Sequence, residues 1–364
     1  MTKLKDYHFF FLWFGAGISL SEILTGTFLA PLGLWQAITV IILGHLIGST
    51  LLVLGGVIGT KENQTAIGST QAAFGEYGKM IMAALNVIQL LGWTAIMLKT
   101  GGEQMNALSK ALWGFDALPV WISAIGLLIG IWIASGRTGT GILNTVAVGL
   151  LLILSVIVFW QVFTKVSFDG IFTSDGSMSF GAGLELTIVM PLSWLPVIAD
   201  YTRRGHSAPK VAVGSWLGYT IASSWMYIIG LLLALALKTV DLSGLLAGVG
   251  LSLAALGVII LSTVTTTFLD THSAAISLTT ILPRLKTKYV SIIIAVVGIV
   301  LAIILPMNQY ESFLYLIGSF FSPLYAIVLC RYFILKARTG STQVLELRAI
   351  IIWIVGIGLY YLFI

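Results

Sequence analysis

Apolar residues occur along this chain in long runs, and short polar segments separate each run from the next. A run of roughly twenty residues spans the hydrocarbon core of a bilayer when it forms an α-helix. The runs occupy residues 9–32, 36–58, 78–106, 119–135, 142–163, 182–201, 209–237, 249–276, 289–306, 312–335 and 348–364. The pattern therefore predicts an all-α integral membrane protein with eleven spans and no soluble domain between them.

The composition supports this prediction. Hydrophobic residues make up 58% of the 364 residues, charged residues make up 9%, and the mean hydropathy is +1.03. A soluble domain carries about 25% charged residues. The one cysteine, Cys330, lies in an apolar run, so neither a disulfide nor a cysteine metal cluster is expected. We expect one multi-pass domain in the inner (cytoplasmic) membrane of the cell.

The positive charges predict the orientation. With a cytoplasmic N-terminus, fifteen of the 19 basic residues lie on the cytoplasmic side: Lys3, Lys5, Lys61, Lys79, Arg137, Arg203, Arg204, Lys210, Arg284, Lys286, Lys288, Arg331, Lys336, Arg338 and Arg348. The other side holds Lys110, Lys165 and Lys238, and Lys99 lies within a span. This asymmetry follows the positive-inside rule. The net charge of +5 therefore reflects topology and gives no reason to expect a nucleic acid partner.

Two spans contain residues that weaken a helix. The first reads FGAGISLSEILTG over residues 14–26, and the sixth reads GLELTIVMPLSWLPVIADYTRR over residues 183–204. Glycine and proline are the least favourable residues in a helix interior. Interrupted spans at corresponding positions of two halves indicate a transporter with a binding site near the membrane midplane. Because each half would contain five spans, the second half is expected to be inverted relative to the first.

Two carboxyl groups in these spans, those of Glu22 and Asp200, are expected to have different roles. Ionisable side chains in a bilayer are costly and commonly functional. Glu22 lies well inside the first span, which favours a functional role over solvation at the interface. Asp200 precedes Arg203 and Arg204 at the end of span six, so a structural ion pair or a loop clamp is expected there.

The remaining ionisable candidates have simpler interpretations. Glu103 and Glu185 lie near span ends, where a solvated carboxylate is the default. His45 is isolated in an apolar run and is expected to be a hydrogen-bonded packing residue.

Span eight carries a dense group of hydroxyl side chains in the segment LSTVTTTFLDTHSAA, residues 261–275. Ser262, Thr265 and Thr266 share one helix face. Such hydroxyls commonly bond the preceding carbonyls of their own helix. However, hydroxyl oxygens together with carbonyls freed at a broken helix also suit a small hard cation. The density of the cluster favours a sodium or proton role.

Span three presents a stripe of Asn86, Gln89, Trp93 and Met97, which recur at spacings of three and four. A tryptophan in a helical bundle is usually a packing residue. A flat aromatic ring flanked by amides also suits a planar heterocycle, which needs stacking on its faces and hydrogen bonds around its edge. Trp194 in span six is a candidate for a second aromatic wall.

Other classes of membrane protein fit less well. An intramembrane zinc protease needs a motif such as HExxH, which does not occur, and Asp200 and Asp270 lack the flanking pattern of an aspartyl protease. A channel would be expected to show a repeated filter loop. A secondary transporter without catalytic residues, and so not an enzyme, is the leading interpretation.

Four segments resemble the nucleobase–cation symport family, which includes cytosine, allantoin and hydantoin permeases. They are FFLWFGAGISLSEILTGTFLAPLG, NVIQLLGWTAIM, MPLSWLPVIADYTRR and STVTTTFLDTHSAA. Within the family, the sequence most resembles the transporters of hydroxymethylpyrimidine, a thiamine precursor. The resemblance implies a leucine-transporter-type fold, with a five-helix repeat in 1–165, an inverted repeat in 180–335, broken helices one and six, and an extra helix in 347–364.

The resemblance also implies roles for individual residues. The substrate ring would stack on Trp93, Glu22 would contact the substrate, and Asp270 and Thr271 would lie where the family hydrogen-bonds the ring. Further substrate-binding candidates are Gln89, Met97, Ser193 and Trp194. The implied sodium ligands are the carbonyls of Ile18 and Ser21 and the hydroxyls of Ser262, Thr265 and Thr266. No organic cofactor is expected.

Two departures from the family pattern bear on the substrate. Relatives often carry an amide at the position of Glu22 and an asparagine at that of Asp270, whereas this chain has acids. A carboxylate accepts hydrogen bonds from an amino group, so the acids favour an amino-bearing pyrimidine over a neutral dione. Cytosine, purines and other nucleobases remain the alternative substrates, and the choice between sodium and proton, like the oligomeric state, is left open. The expected mechanism is alternating access in which cation binding favours the substrate-ready state.

Overall fold

The computed structural model describes residues 3–135, 142–164, 172–237, 252–306, 309–337 and 344–363, and most of these residues are helical. Within these ranges the α-helices are α1 Tyr7–Gly17, α2 Leu20–Phe28, α3 Gly33–Glu62, α4 Ala66–Trp113, α5 Leu118–Ala134, α6 Ile142–Phe163, α7 Phe180–Ser193, α8 Leu195–Thr202, α9 Ala208–Leu237, α10 Ser252–Ile281, α11 Thr287–Ile304, α12 Tyr310–Leu329 and α13 Leu347–Phe363. A 3₁₀ turn, Ala30–Leu32, joins α2 to α3, and a π-helical turn, Cys330–Ile334, follows α12.

Within the described residues, each of the eleven apolar runs overlaps one helix or one broken pair of helices. Six helical stretches in the described part of the chain are long and apolar enough to cross a bilayer: Leu20–Glu62, Ala66–Trp113, Phe180–Thr202, Ala208–Ala236, Thr287–Ile304 and Tyr310–Ile334. Three shorter apolar helices accompany them. Helix α4 bends sharply at Gly75, whose φ of 77° and ψ of −177° are not helical.

The first span is broken between α1 and α2. Ile18 and Ser19 leave the helical conformation, and Ser19 is extended, with φ −139° and ψ 159°. Its hydroxyl then accepts a hydrogen bond from the Glu22 N–H at 3.3 Å, which is the arrangement of a helix N-cap. The glycines before the break weaken α1, and the serine starts α2.

The sixth span is broken at Trp194, between α7 and α8. Pro196 has no N–H to donate to the carbonyl four residues earlier, and its ring would clash with that carbonyl. The helix is therefore interrupted at Trp194, two residues before the proline, and the two halves flank this residue. The predicted breaks in spans one and six are both present in the structure.

The helices pack in two groups. In the first, which we call the bundle group, α9 packs against α1, α2 and α3, and α3 packs against α7 and α8. In the second, which we call the scaffold group, α4 packs against α5, α10 and α11. The approach of α2 to α9 is so close that a Cβ atom on Gly230 would lie 1.9 Å from the Ile23 carbonyl oxygen. Both broken spans belong to the bundle group.

Some sequence-based predictions are not tested by this architecture. The cytoplasmic N-terminus stays a prediction, and four of the basic residues on which it rests, Arg137, Lys165, Lys238 and Arg338, lie outside the described residues. The repeat boundaries at 165, 180, 335 and 347 also stay a prediction.

Candidate functional site

The two breaks face the same small cavity, between the bundle group and the scaffold group. Its walls come from both breaks and from the middle of α4 and α10. The lining residues are Ser19, Ser21, Glu22, Leu90, Trp93, Met97, Met190, Ser193, Trp194, Thr266 and Asp270. The structure thus brings together most of the predicted substrate-binding residues, which lie far apart in the sequence.

The cavity is nearly closed. The free space between its walls is about 330 Å³, but the centre of a water molecule can move within only about 10 Å³ of it. A volume of that second kind holds about one water molecule. The walls must therefore move apart before a ring-sized molecule can be accommodated.

Glu22 is held at both carboxyl oxygens. Tyr219 donates a hydrogen bond to Oε1 at 2.8 Å, and the Ser223 hydroxyl lies 2.9 Å from Oε2. Both partners are fully buried and lie one turn apart on α9, a helix of the bundle group. The carboxyl of Glu22 is therefore fixed in plane and direction.

Asp270 differs from Glu22 although it lines the same cavity. Its side chain is buried, with 3% of its surface exposed, and no donor in the described part of the chain hydrogen-bonds to its carboxyl. A buried polar group without a partner is costly and calls for an explanation. A hydrogen-bond donor on a bound ligand would provide one.

The aromatic walls are supported from behind. The ring of Trp93 meets Tyr310 and Phe313 edge to face, with centroid distances of 6.1 and 5.6 Å. Its indole N–H is buried and has no acceptor within the described ranges. Trp194 lies edge to face with Trp13 at 5.8 Å. Trp93 and Trp194 both line the cavity.

The amides of span three, Asn86 and Gln89, contact the break in span six, whereas the sequence stripe had indicated a position beside the substrate ring. Gln89 is not in the cavity wall, and its Nε2 donates to the Ser193 carbonyl at 2.8 Å. That carbonyl is left free by the break, because the Val197 N–H bonds Trp194 instead. Asn86 donates to the Pro196 carbonyl at 3.1 Å and to the Ser277 hydroxyl at 2.9 Å. Both amides stabilise the break in span six.

Some of the predicted sodium ligands lie in the cavity wall and others do not. Ser21 and Thr266 line the cavity, whereas Ile18, Ser262 and Thr265 do not. The Ser21 carbonyl accepts hydrogen bonds from the hydroxyls of Thr25, at 2.8 Å, and Tyr310, at 3.4 Å.

Three of the hydroxyls in span eight show the first arrangement considered from the sequence, a hydrogen bond to a carbonyl of their own helix. Thr265 and Thr266 donate to carbonyls of their own helix, and Thr271 donates to Phe268 and does not line the cavity. The Ser262 hydroxyl is buried with no partner in the described part of the structure. Donating to a carbonyl leaves the lone pairs of a threonine oxygen available, so this chemistry is compatible with a small cation.

Two of the other ionisable candidates bind the helices together. Asp200 accepts a hydrogen bond from the Ala66 N–H, at the start of α4, at 3.0 Å. Arg203 donates to the main-chain carbonyl of Asp200 and not to its carboxyl. Asp200 is therefore a clamp on the end of α4. Glu185 is half-buried and accepts a short hydrogen bond from Tyr360 on α13.

Several residues of the site were missed from the sequence. Tyr219 and Ser223 hold Glu22, and Tyr310 closes the break in span one behind Trp93. One signal was present in the sequence: Tyr219, Ser223 and Tyr227 recur every four residues in span seven, so they form one polar stripe.

The chain is similar to a known family of permeases. Residues 2–359 match the family described as permeases for cytosine/purines, uracil, thiamine and allantoin. A hydantoin permease of Microbacterium maritypicum is 24% identical over 361 residues, which covers 91% of this chain and 73% of that protein. A cytosine permease of Escherichia coli strain K12 is 23% identical over 332 residues, which covers 88% and 76%.

Solved structures share the fold. Mhp1 in an inward-facing conformation has a TM-score of 0.82 at 20% identity, covering 99% of this chain and 87% of that chain. Mhp1 in a closed conformation with bromovinylhydantoin bound has a TM-score of 0.81 at 18% identity, covering 100% and 91%. A Na⁺-coupled sialic acid symporter has a TM-score of 0.70 at 15% identity, covering 98% and 88%.

These likenesses confirm the predicted all-α fold of the leucine-transporter type. The family match covers nearly the whole chain, and the curated relatives are permeases. The chain therefore belongs to the nucleobase–cation symport family and is a membrane transporter, not an enzyme.

Proposed function

We propose that this permease imports a small amino-bearing pyrimidine, hydroxymethylpyrimidine or a related thiamine precursor, by symport with sodium. The observation that carries the proposal is the unpaired carboxyl of Asp270, which faces the same cavity as Trp93 and Glu22. A planar ring on Trp93 would share the cavity with two acids, and each acid accepts hydrogen bonds.

The two acids select for donors on the substrate. A 4-aminopyrimidine carries an amino group beside a ring nitrogen, so its amino group can donate to Asp270. A neutral dione such as hydantoin presents carbonyl oxygens beside its N–H groups, and a carboxylate repels those oxygens.

Sodium is the proposed coupling ion. Its ligands would be the carbonyls of Ile18 and Ser21 at the break of span one and the hydroxyls of Ser262, Thr265 and Thr266 on α10. The buried, unpaired Ser262 hydroxyl supports this set. The ion would join a helix of the bundle group to a helix of the scaffold group, so its binding would favour one relative position of the two groups.

The nearly closed cavity supports alternating access. Because it has room for about one water molecule, substrate entry and exit each require the bundle group to move relative to the scaffold group. Thr271 and Gln89, which are not in the walls, would reach the substrate only after such a movement.

Cytosine or a purine is the second candidate substrate. One of the curated relatives is a cytosine permease, and cytosine also carries an amino group beside a ring nitrogen. The same two acids could accept hydrogen bonds from either ring. The size of the opened cavity would therefore determine which substrate is bound.

Thermal-shift and uptake measurements test the proposal together. Purified protein is screened with hydroxymethylpyrimidine, cytosine, adenine, uracil and hydantoin, with sodium or with choline in its place. A ligand that binds the folded state raises the unfolding temperature. We expect stabilisation by the amino-pyrimidine, enhanced by sodium, and uptake into proteoliposomes that follows an imposed sodium gradient. A response to uracil and hydantoin but to no amino-bearing ring would contradict the proposal.

Two variants sharpen the result. Asp270→Asn should weaken hydroxymethylpyrimidine binding by at least about tenfold and improve hydantoin binding, because an amide donates as well as accepts. Asp175→Asn, in an exposed loop, is the matched control and should change neither. Thr265→Ala combined with Thr266→Ala should abolish the effect of sodium. Sodium-dependent uptake that survives this change would contradict the proposed ion site.

A further inference from the structure

His45 lies behind Glu22 and is part of the same chain of hydrogen bonds. It is fully buried on α3. Its Nδ1 lies 2.8 Å from the Ile41 carbonyl, and its Nε2 lies 2.6 Å from the Ser223 hydroxyl. Its ring also packs nearly perpendicular to that of Tyr227, with centroids 4.8 Å apart. The imidazole is therefore held in one orientation and directs one nitrogen at Ser223.

The hydrogen-bond partners of Ser223 are unusual for a serine inside a helix. Serine and threonine hydroxyls in helices commonly bond a carbonyl three or four residues earlier. Ser193, Thr94 and Thr266 do so in this protein. The Ser223 hydroxyl instead lies between His45 Nε2 at 2.6 Å and Glu22 Oε2 at 2.9 Å.

We infer that His45 is a positioning residue for substrate recognition, because it holds the Ser223 hydroxyl in the rotamer that fixes the Glu22 carboxyl toward the cavity. The inference rests on the proposed function in one respect, namely that Glu22 contacts the substrate.

The chain of contacts explains how His45 would act. A glutamate has three rotatable side-chain bonds, so a carboxyl that is held at one oxygen only can turn about that contact. Tyr219 holds Oε1, and Ser223 holds Oε2 only while its hydroxyl points away from its own helix. His45 supplies the contact that keeps it there. Without the imidazole, the hydroxyl is expected to return to the preceding turn of α9.

All of these groups belong to the bundle group. Glu22 lies on α2, His45 on α3, and Tyr219 and Ser223 on α9. The hydrogen bonds that join His45, Ser223 and Glu22 can therefore stay intact while the bundle group moves relative to α4 and α10. A substrate would meet the same Glu22 geometry on either side of the membrane, which distinguishes this acid from a gate residue.

The first experiment measures KM and maximal rate for uptake of radiolabelled hydroxymethylpyrimidine and cytosine into proteoliposomes. His45→Leu and Ser223→Ala should each raise KM about tenfold, the effect of one lost hydrogen bond, with little change in maximal rate. His45→Gln keeps a polar group near the position of Nε2 and should stay within about threefold of the wild type. Ser291→Ala, a buried serine that bonds its own helix on α11, is the matched control and should leave KM unchanged.

The double variant decides whether His45 acts through Ser223. When two residues act as one unit, the effects of substituting them are not additive. His45→Leu with Ser223→Ala should therefore raise KM about tenfold, like either single change, and not about a hundredfold. An additive double variant, an unchanged KM in His45→Leu, or a failure of His45→Gln to restore KM would each overturn the inference.

A measurement without substrate separates this inference from the proposed function. The infrared carboxyl band that disappears in Glu22→Gln reports the hydrogen bonds of that side chain. It should shift by the same amount in His45→Leu and Ser223→Ala and stay in place in His45→Gln. If the wild type transports neither pyrimidine, the proposed substrate class is wrong, and this band still decides on His45. A band that moves in Ser223→Ala but not in His45→Leu would overturn the role of His45.

Discussion

The two broken spans are stabilised in different ways. At the break in span one, Ser19 caps α2, Thr25 bonds the Ser21 carbonyl, and α9 holds the Glu22 carboxyl. At the break in span six, the freed Ser193 carbonyl is bonded by Gln89, which lies on α4. Most contacts at the first break stay inside the bundle group, whereas the contact at the second crosses to the scaffold group.

This difference separates two tasks within one cavity. A break closed inside the bundle group keeps its shape when the groups move relative to each other, which suits the residue that recognises the substrate. A break whose carbonyl is hydrogen-bonded to the other group is strained whenever the two groups move relative to each other. The first break is therefore expected to determine substrate specificity, and the second to oppose the relative movement of the two groups.

The largest expected effect is at the contact between α2 and α9. Gly230→Ala places a Cβ atom 1.9 Å from the Ile23 carbonyl oxygen, so the backbone of one helix must shift. We expect a loss of about 3 kcal/mol in the free energy of unfolding, measured by reversible unfolding in mixed micelles, and loss of uptake.

Gly130→Ala on α5 is its control, because a Cβ atom there has no neighbour within 4 Å. That change should be neutral or stabilise the protein by up to about 1 kcal/mol, since alanine favours a helix more than glycine does. Equal losses at both positions would show that the close approach of α2 and α9 is not what holds the first break.

The second prediction concerns the contact that crosses between the groups. Gln89→Leu leaves the Ser193 carbonyl unpaired in the membrane interior, which should lower the free energy of unfolding by about 1–2 kcal/mol. The lower end of that range is expected because the Gln89 Oε1 atom itself has no donor within the described ranges. Gln71→Leu, on the same helix but partly exposed, is the control. A full effect in Gln71→Leu and none in Gln89→Leu would remove the distinction between the two breaks.

Much of this architecture follows from the sequence, because a bilayer imposes simple rules. Apolar runs of fixed length located the spans, and the glycines, serines and prolines in 14–26 and 183–204 located both breaks. Glu22, Trp93 and Asp270 stood out as polar or aromatic residues in apolar surroundings, and all three line the cavity.

The partners of individual side chains could not be predicted in the same way. Gln89 shares a helix face with Trp93, but the sequence does not show which neighbouring helix that face contacts. In the structure, the Gln89 amide contacts the break in span six. Tyr219 and Ser223 belong to a polar stripe on an apolar helix, but the stripe does not show that it meets Glu22 until α2 is placed against α9. Such partners depend on the tertiary arrangement and not on the local pattern.

The third prediction tests the contact that α12 makes with the first break. Tyr310→Phe removes the hydroxyl that lies 2.9 Å from Thr25 Oγ1 and 3.4 Å from the Ser21 carbonyl. Side-chain hydrogen bonds inside membrane proteins contribute about 0.6 kcal/mol on average, so the loss in the free energy of unfolding should be of that size. Tyr325→Phe is the control, because that buried hydroxyl has no partner in the described residues, and its removal should be neutral or stabilising. A larger loss in Tyr325→Phe would contradict this assignment.

The smallest expected effect distinguishes the two roles considered for Asp200, an ion pair and a clamp. Asp200 lies on α8, beyond the second break, and its Oδ1 accepts from the Ala66 N–H. Asp200→Asn keeps an oxygen acceptor of the same shape and removes the charge, so the free energy of unfolding should change by less than about 0.5 kcal/mol. Asp200→Leu removes the acceptor and should cost about 1–3 kcal/mol, because the first N–H of α4 is then buried without a partner. If Asp200→Asn costs as much as Asp200→Leu, the charge beside Arg203 is what matters.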